Sequence, residues 1–209
     1  MTEAKSEKKW SILEMSIRIS LICLFAVVFF TAAAQVQPSK KVLITYYSQT
    51  SSTKEMAMEV ARGVKTVKNV ECMLKSIEET KTADLLMADA IILGSPVHNA
   101  NPSPEILDFI RKWPFENQPL KDKLGAVFVT AGGISAGEEL VQVNLLHAMM
   151  VFGMVVMGGE EWNASFGASA VTNEAPFDTR VSKKIDPLFL KKGFGLGKRV
   201  GEWVIRIKK

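Results

Sequence analysis

The stretch that decides the fold is Lys41-Val-Leu-Ile-Thr-Tyr-Tyr-Ser-Gln-Thr-Ser-Ser-Thr-Lys54, an apolar run that passes directly into six hydroxyl or amide residues. The run at residues 42–47 predicts a buried β-strand. Apolar residues then recur with the spacing of one buried helix face, at Met56, Ala57, Val60, Ala61 and Val64. The polar loop between this strand and this helix consists of Ser48, Gln49, Thr50, Ser51, Ser52 and Thr53.

A strand, a polar loop and a helix N-terminus in this order favour an anion site. The first-turn N–H groups of a helix have no intrahelical acceptor, and the helix dipole stabilises negative charge there. No lysine follows a G-x-x-x-x-G pattern, so the loop is not the P-loop of nucleoside triphosphatases. Many hydroxyl groups and little fixed positive charge favour a single phosphate monoester. The alternative is a Ser/Thr-rich helix cap that binds no ligand.

Composition limits the class of protein. The chain has 209 residues, 47% of them hydrophobic, which suits one α/β domain with a sizeable core and a tail. The net charge of +4 is small and scattered, so no nucleic-acid partner is expected. Two cysteines and two histidines are too few for a disulfide framework or a metal-centred enzyme, and we expect no metal.

Residues 1–34 form a separate segment in which basic residues precede an uncharged run at residues 19–39. Three alanines at 32–34 offer a signal-peptidase site. The pattern predicts either a cleaved signal peptide or a membrane anchor of marginal length, since a span needs about 20 apolar residues. Both versions predict a membrane-anchored or secreted protein. A retained anchor is expected to keep the site close to the bilayer, which suits a lipophilic quinone.

Residues 35–40 are predicted to be a linker, and residues 41–209 the folded domain. After the first strand and a helix at about 53–68, strands are predicted at 70–74, 90–95, 124–130 and 154–157. Helices are predicted at about 79–87, 104–113, 138–152 and 187–207, with residues 158–180 irregular. The fold class predicted by this alternation is α/β, a three-layer α/β/α domain around a five-stranded parallel sheet.

Ligands of such sheets bind beyond the carboxyl ends of the strands, where three loops of this chain are polar or glycine-rich. The first is the polar loop at 48–53. The second follows the third strand and comprises Pro96, Val97, His98, Asn99, Ala100 and Asn101. The third lets the backbone approach a ring edge through its glycines, and comprises Thr130, Ala131, Gly132, Gly133, Ile134 and Ser135. A phosphate in the first loop and a planar polar ring between the others predict FMN, although each glycine could be an ordinary loop residue.

Five motifs carry a resemblance to a known family: Val42-Leu-Ile-Thr-Tyr-Tyr-Ser48, Ala90-Ile-Ile-Leu-Gly-Ser-Pro96, Ala131-Gly-Gly133, Phe152-Gly-Met-Val-Val156 and Gly201-Glu202. Over nearly all of residues 41–209 the chain resembles the flavodoxin-like fold, most closely the FMN-dependent NAD(P)H:quinone oxidoreductases of the tryptophan-repressor-binding-protein type. The resemblance implies that residues 48–53 bind the FMN phosphate. It implies that residues 96–101 and 130–135 bind the ribityl chain and the isoalloxazine ring. The implied electron donor is NAD(P)H, the implied acceptor is quinone-like, and a homo-oligomer is possible.

Two positions differ from that family's usual pattern. A basic residue and an aromatic residue usually follow the third strand, where this chain has Val97, His98 and Asn99. Two adjacent histidines usually precede the glycine and methionine of the fifth strand, where Val151 and Phe152 stand here. The side chains at these last two positions are expected near the substrate.

His98 is the candidate catalytic residue, because an imidazole in the second loop could donate to the flavin or to a quinone oxygen. The alternative is an exposed loop histidine. His147 lies in an apolar helix and is expected to be a packing residue. Trp162 is the candidate for a substrate lid, while Trp113 and Trp203 could pack in the core or cover a ring.

Three functions remain open at this point. The first is an oxidoreductase that passes electrons from NAD(P)H to a quinone, with the flavin supplying the redox chemistry. The second is a flavodoxin-type electron carrier, although such carriers are usually strongly acidic and this domain is mildly basic. The third is a non-catalytic flavodoxin-like interaction domain.

Overall fold

The computed structural model describes residues 39–207, and the predicted signal or anchor lies outside them. No helix within the described range is long and apolar enough to span a bilayer. The elements are β1 Lys40–Tyr46, α1 Ser52–Lys65, β2 Val70–Ser76, α2 Thr82–Met87, β3 Ala90–His98, β4 Asn101–Pro102, α3 Pro104–Arg111, β5 Leu124–Ala131, α4 Glu138–Val151, β6 Val155–Val156, β7 Ala168–Val171, α5 Thr179–Ser182 and α6 Pro187–Arg206, with a 3₁₀ turn at Trp162–Ala164.

The parallel sheet has the strand order β2-β1-β3-β5-β6, and β7 also pairs with β5. Leu124 at the start of β5 lies opposite Val155 of β6, whereas Phe128 farther along β5 lies opposite Ala168 of β7. Two short strands therefore fill the fifth position, separated by residues 157–167, which we call the insertion. The predicted α/β fold with a five-stranded parallel sheet is confirmed. The prediction that residues 158–180 are irregular is wrong, because they contain β7 and α5.

Two helical layers cover the sheet, because its central strands are apolar on both faces. Val42 and Ile44 of β1 point to the layer formed by α1 and α6, while Leu43 points to the layer formed by α2, α3 and α4. Helices α1 and α6 approach closely at Gly197, where a Cβ atom would lie 1.9 Å from the carbonyl oxygen of Val60. This packing fixes α1, whose N-terminus opens the candidate site.

Strand β3 does not end at Pro96, as its proline predicted, but continues to His98. Asn99 and Ala100 then take positive φ angles of 51° and 61°, and the chain returns as β4, with Pro102 opposite Val97. Two successive left-handed residues give the tight turn that suits a two-residue hairpin. The second predicted loop is therefore a β-hairpin rather than an irregular segment.

Candidate functional site

Loop 1, residues 48–53, lies at the carboxyl end of β1 and opens α1. Ser51 takes a left-handed conformation with φ of 74°, and its carbonyl oxygen accepts the N–H of Glu55 at 2.9 Å. The hydroxyl of Ser48 accepts the N–H of Lys54 at 3.1 Å. Within the described chain, the N–H groups at 49–53 have no backbone acceptor. They form the donor set that a phosphate would need at a helix N-terminus.

Some side chains of loop 1 are exposed and others are buried. Gln49, Thr50 and Ser51 are exposed, whereas Thr53 is buried. The Thr53 hydroxyl lies 2.8 Å from the hydroxyl of Thr130, and either oxygen can be the donor. A threonine hydroxyl donates one hydrogen bond and accepts two. If Thr130 donates, the Thr53 proton remains available to an anion in loop 1. The bond also joins loop 1 to loop 3, residues 130–135.

The β3–β4 hairpin, which contains loop 2 at residues 96–101, contacts the start of α4. Gly137 has φ of 98°, and a Cβ atom there would lie 2.5 Å from the Cβ of Ala100. Only glycine fits this position, since both its conformation and its contact exclude a side chain. At the base of the hairpin, the Ser95 hydroxyl accepts the N–H of Ser103 at 3.2 Å and donates to the carbonyl of Pro96 at 2.7 Å. Loop 2 is thereby held beside the segment that follows loop 3.

A fourth loop, residues 172–178, holds loop 3 from the other side and was not predicted to belong to the site. The N–H of Thr172 donates to the carbonyl of Ala131, and that of Asn173 to the carbonyl of Gly132, both at 2.9 Å. One carboxylate oxygen of Glu174 accepts the N–H of Ile134 at 2.7 Å. The sequence signal available was the polar cluster of Thr172, Asn173 and Glu174, which directly follows β7.

Tyr47 and Glu105 interact with each other, and neither residue was predicted to belong to the site. Burial first, and then a hydrogen bond to Glu105, raise the pKa of the Tyr47 hydroxyl. The pKa of Glu105 is lowered, foremost by its own backbone N–H and more weakly by the Tyr47 hydroxyl and the charge of His98. His98 itself is half-buried at the end of β3.

Several predicted positions lie away from these loops. Val151 and Phe152 end α4 at the amino end of the sheet, next to Gly153, whose carbonyl accepts the N–H of Asp122 just before β5. Val151 and Phe152 therefore lie at the opposite end of the sheet from loops 1–3 of the same chain, and their expected place near the substrate stays a prediction. Trp113 is buried and packs against Phe152, with ring centroids 5.3 Å apart, so it belongs to the core.

His147 and Trp162 are both exposed to solvent. His147 lies on the exposed side of α4, so the prediction that it packs in the core is wrong. Trp162 is 88% exposed on the insertion. The insertion is held against α6 by an ion pair between Glu161 and Lys191 at 3.3 Å and by a hydrogen bond from Arg199 to the carbonyl of Gly159. These contacts place the insertion on α6, and the lid role of Trp162 has no support from them.

Comparisons with known proteins agree with this fold. Residues 42–169 match the family model described as NADPH-dependent FMN reductase. A flavodoxin of Aquifex aeolicus is 27% identical over 174 residues, which cover 78% of this chain and 86% of the relative. A flavodoxin of Clostridium saccharobutylicum is 34% identical over 121 residues, covering 57% and 73%. An NAD(P)H dehydrogenase (quinone) of Syntrophobacter fumaroxidans is 29% identical over 150 residues, covering 56% and 71%.

Solved structures show the same architecture. A flavodoxin, WrbA-like protein from Agrobacterium tumefaciens superposes with a TM-score of 0.65 at 20% identity, covering 81% of this chain and all of the other. A flavodoxin from the domain Archaea superposes with a TM-score of 0.61 at 22% identity, covering 79% and 99%. These likenesses establish a flavodoxin-like fold. Because the family model spans more than half of the residues, the chain belongs to the NADPH-dependent FMN reductase family.

Proposed function

We propose that the chain binds FMN at the carboxyl end of its sheet and is an oxidoreductase that takes electrons from NAD(P)H. The observation that carries this proposal is the connection of the three loops on one rim. The bond between Thr53 and Thr130 joins loop 1 to loop 3, and the contact between Ala100 and Gly137 joins loop 2 to the segment after loop 3. A helix terminus with free N–H groups therefore lies beside two constrained loops, in a member of a family named for FMN reduction.

The residues present fit the cofactor. The free N–H groups of loop 1 and the hydroxyls of Thr50, Ser51 and Ser52 would bind the phosphate. The N–H of Ile134 in loop 3 donates to the carboxylate of Glu174. The same N–H would be the backbone donor of loop 3 to the ring. His98, at the end of β3 in loop 2, would donate a hydrogen bond to the ring. Bound FMN would supply the redox chemistry, while these groups bind and orient it.

For the electron acceptor we propose a quinone-like molecule. This rests on the relative named NAD(P)H dehydrogenase (quinone). The second candidate function is that of an electron carrier, which is favoured by two relatives named flavodoxin. The net charge of +4 argues against a carrier, because carriers of this fold are usually strongly acidic. The third candidate, an interaction domain without catalysis, needs no flavin.

The test is an FMN titration of the full chain in mild detergent, followed by the quenching of flavin fluorescence. Replacing Thr50 and Ser52 together by alanine removes two hydroxyls worth about 1 kcal/mol each, so FMN should bind roughly thirtyfold more weakly. Ser39→Ala, which removes an exposed hydroxyl at the other end of β1, is the matched control and should bind normally. Absence of quenching at micromolar FMN contradicts the proposal.

Turnover separates the three candidate functions. Steady NADPH oxidation in the presence of benzoquinone is the result expected for the reductase. Bound FMN that accepts single electrons stably and gives no turnover would instead identify the carrier. A chain that binds no flavin at all would leave the interaction domain.

We also propose that the N-terminal segment exports or anchors the protein. The support is its sequence pattern alone, with basic residues before the uncharged run at 19–39 and alanines at 32–34. N-terminal sequencing of native protein distinguishes the versions, since a chain that begins near Gln35 shows cleavage. Full-length protein in the soluble cytosolic fraction would contradict both versions.

A further inference from the structure

A groove between α2 and α3 is lined by residues that take no part in the candidate FMN site. Its two walls are formed by residues 77–85 and by residues 105–113, and its volume is about 630 Å³. None of its lining residues belongs to loops 1, 2 or 3. Sites for small molecules usually have volumes of roughly 300–1,000 Å³. We call this cavity the α2–α3 groove, and its size suits a ligand of its own.

The floor of the α2–α3 groove is apolar. Leu85, Phe109 and Trp113 are buried there as members of the core cluster on this side of the sheet, and Ile77 packs against that cluster. The ring of Trp113 lies edge-on to that of Phe109, with centroids 5.8 Å apart. A ligand with a flat apolar body would remove its ring from water against these side chains.

The indole N–H of Trp113 is a donor that lacks an acceptor. The side chain is only 4% exposed, and its nitrogen has no hydrogen-bond partner within residues 39–207. An indole N–H can donate a hydrogen bond but cannot accept one. Buried donors in folded proteins are nearly always paired, so an unpaired donor beside a cavity needs an explanation. An oxygen atom of a ligand in the groove would supply the missing acceptor.

The charged side chains at the edge of the groove favour a neutral ligand. These side chains are exposed and carry both signs, namely Glu78, Lys81, Glu105, Asp108 and Lys112. Opposite charges along one edge largely cancel, and water and salt screen what remains. A ligand of either sign would therefore gain little from them.

We propose that the α2–α3 groove binds a neutral aromatic carbonyl compound, whose carbonyl oxygen accepts the indole N–H of Trp113. The aromatic ring supplies the apolar surface that the floor requires. A carbonyl oxygen only accepts, whereas a hydroxyl group would bring a donor of its own to an apolar floor. Quinones belong to this class, and the groove would bind them whether or not the chain reduces them.

The first test compares acetylnaphthalene with ethylnaphthalene, a hydrocarbon that lacks the carbonyl oxygen, by equilibrium dialysis of the full chain in mild detergent. Trp113→Phe keeps an aromatic ring but removes the N–H. The affinity for the ketone relative to the hydrocarbon should then fall roughly fivefold, which corresponds to one neutral hydrogen bond. Partition into detergent is the same for every variant and cancels from this ratio.

The matched control is Trp203→Phe, the same substitution on α6 and outside the groove. Trp203 is 42% exposed, and its replacement should leave the ratio unchanged. Circular dichroism confirms that both variants are folded. A ratio that Trp113→Phe does not change would overturn the proposal, as would an equal fall in Trp203→Phe.

An NMR spectrum of isotope-labelled wild-type protein gives a measurement that does not depend on a stable variant. The chain has four tryptophans, so the spectrum contains four indole N–H signals. Acetylnaphthalene should move one of them downfield, and ethylnaphthalene should move it much less. Absence of that signal from the spectrum of Trp113→Phe assigns it. Equal shifts with the two ligands would overturn the proposal.

Two competitors locate the ketone and test its charge. Saturating FMN should leave ketone binding unchanged, and competition would overturn the proposal because it would place the ketone in the candidate FMN site. Naphthoate, which carries a carboxylate in place of the ketone, should bind no more tightly than the ketone; tighter binding would show that the groove selects anions. If the chain binds no flavin, the affinity ratio and the NMR signal still decide the matter, so failure of the proposed function is distinguishable from failure of this site.

Discussion

The hydrogen bond between the Thr53 and Thr130 hydroxyls should affect both the stability of the protein and the binding of its cofactor. The two oxygens are 2.8 Å apart, and the residues are only 2% and 5% exposed. Valine has the shape of threonine without the hydroxyl. Thr53→Val alone would leave the Thr130 hydroxyl buried without a partner, and Thr130→Val alone would do the same to Thr53. The double variant removes both hydroxyls and leaves no orphan.

The expected changes in unfolding free energy and in FMN affinity follow from this burial. A buried hydroxyl without a partner costs about 1–3 kcal/mol, whereas replacing both partners by apolar groups of the same shape is nearly neutral. Each single variant should lose about 1–3 kcal/mol of unfolding free energy, and the double variant should lie within about 0.5 kcal/mol of wild type. A hydrogen bond to a charged group contributes about 1.5–3 kcal/mol, so the double variant should bind FMN at least tenfold more weakly.

Urea unfolding of the flavin-free protein measures the first effect and FMN titration measures the second. The chain offers a matched control in Thr45, a buried residue whose hydroxyl lies 2.8 Å from that of Thr80. Thr45→Val removes one hydrogen bond and should lower the unfolding free energy by about 1 kcal/mol, because Thr80 still donates to the carbonyl of Ser76 at 2.7 Å. It should leave FMN affinity unchanged. The reasoning fails if the double variant is destabilised by the sum of the single variants. It also fails if the double variant binds FMN like wild type, since Thr53 would then give no proton to the phosphate.

Three further predictions concern the loops and the pH dependence of stability. Glu174→Ala should raise FMN affinity severalfold in the same titration, because it frees the Ile134 N–H of loop 3 and removes a negative charge; a lower affinity would contradict this. Gly137→Ala should cost about 1–3 kcal/mol in urea unfolding because of its positive φ. Gly132→Ala should be nearly neutral, because its Cβ would make only an ordinary contact, at 3.7 Å, with the Asn173 side chain. Lys75 holds the pKa of Asp84 below its usual range. The stabilisation by Asp84 is therefore complete above the unfolded pKa of about 3.9 and is lost as pH falls through the lower folded value. Asp84→Asn should remove this acid-dependent part, and urea midpoints from about pH 6 to pH 2 would show it.

The start of the site was predictable because its signals are local. An apolar run, six polar residues and a helical repeat occur in one continuous stretch, and α1 begins at Ser52, one residue before its predicted start. Each signal depends only on neighbours along the chain.

The β3–β4 hairpin was not predictable, since its causes are distant in sequence. A proline inside a strand normally indicates its end, and Asn99-Ala100 lacks the glycine that usually marks such a turn. The left-handed Ala100 is accommodated because Gly137 has no side chain at the point of contact. The conformation of the β3–β4 hairpin therefore depends on residues from two loops.

The second strand at the fifth position of the sheet, and the orientation of α4, were likewise not predictable from neighbouring residues. Residues 168–171 are small and lack a strand signature, and they become a strand only because they lie beside the second half of β5. Helix α4 has no charged residue from Leu140 to Val151 and buries the polar Gln142, so periodicity does not identify its outer face. His147, which the pattern placed inside, lies outside for this reason.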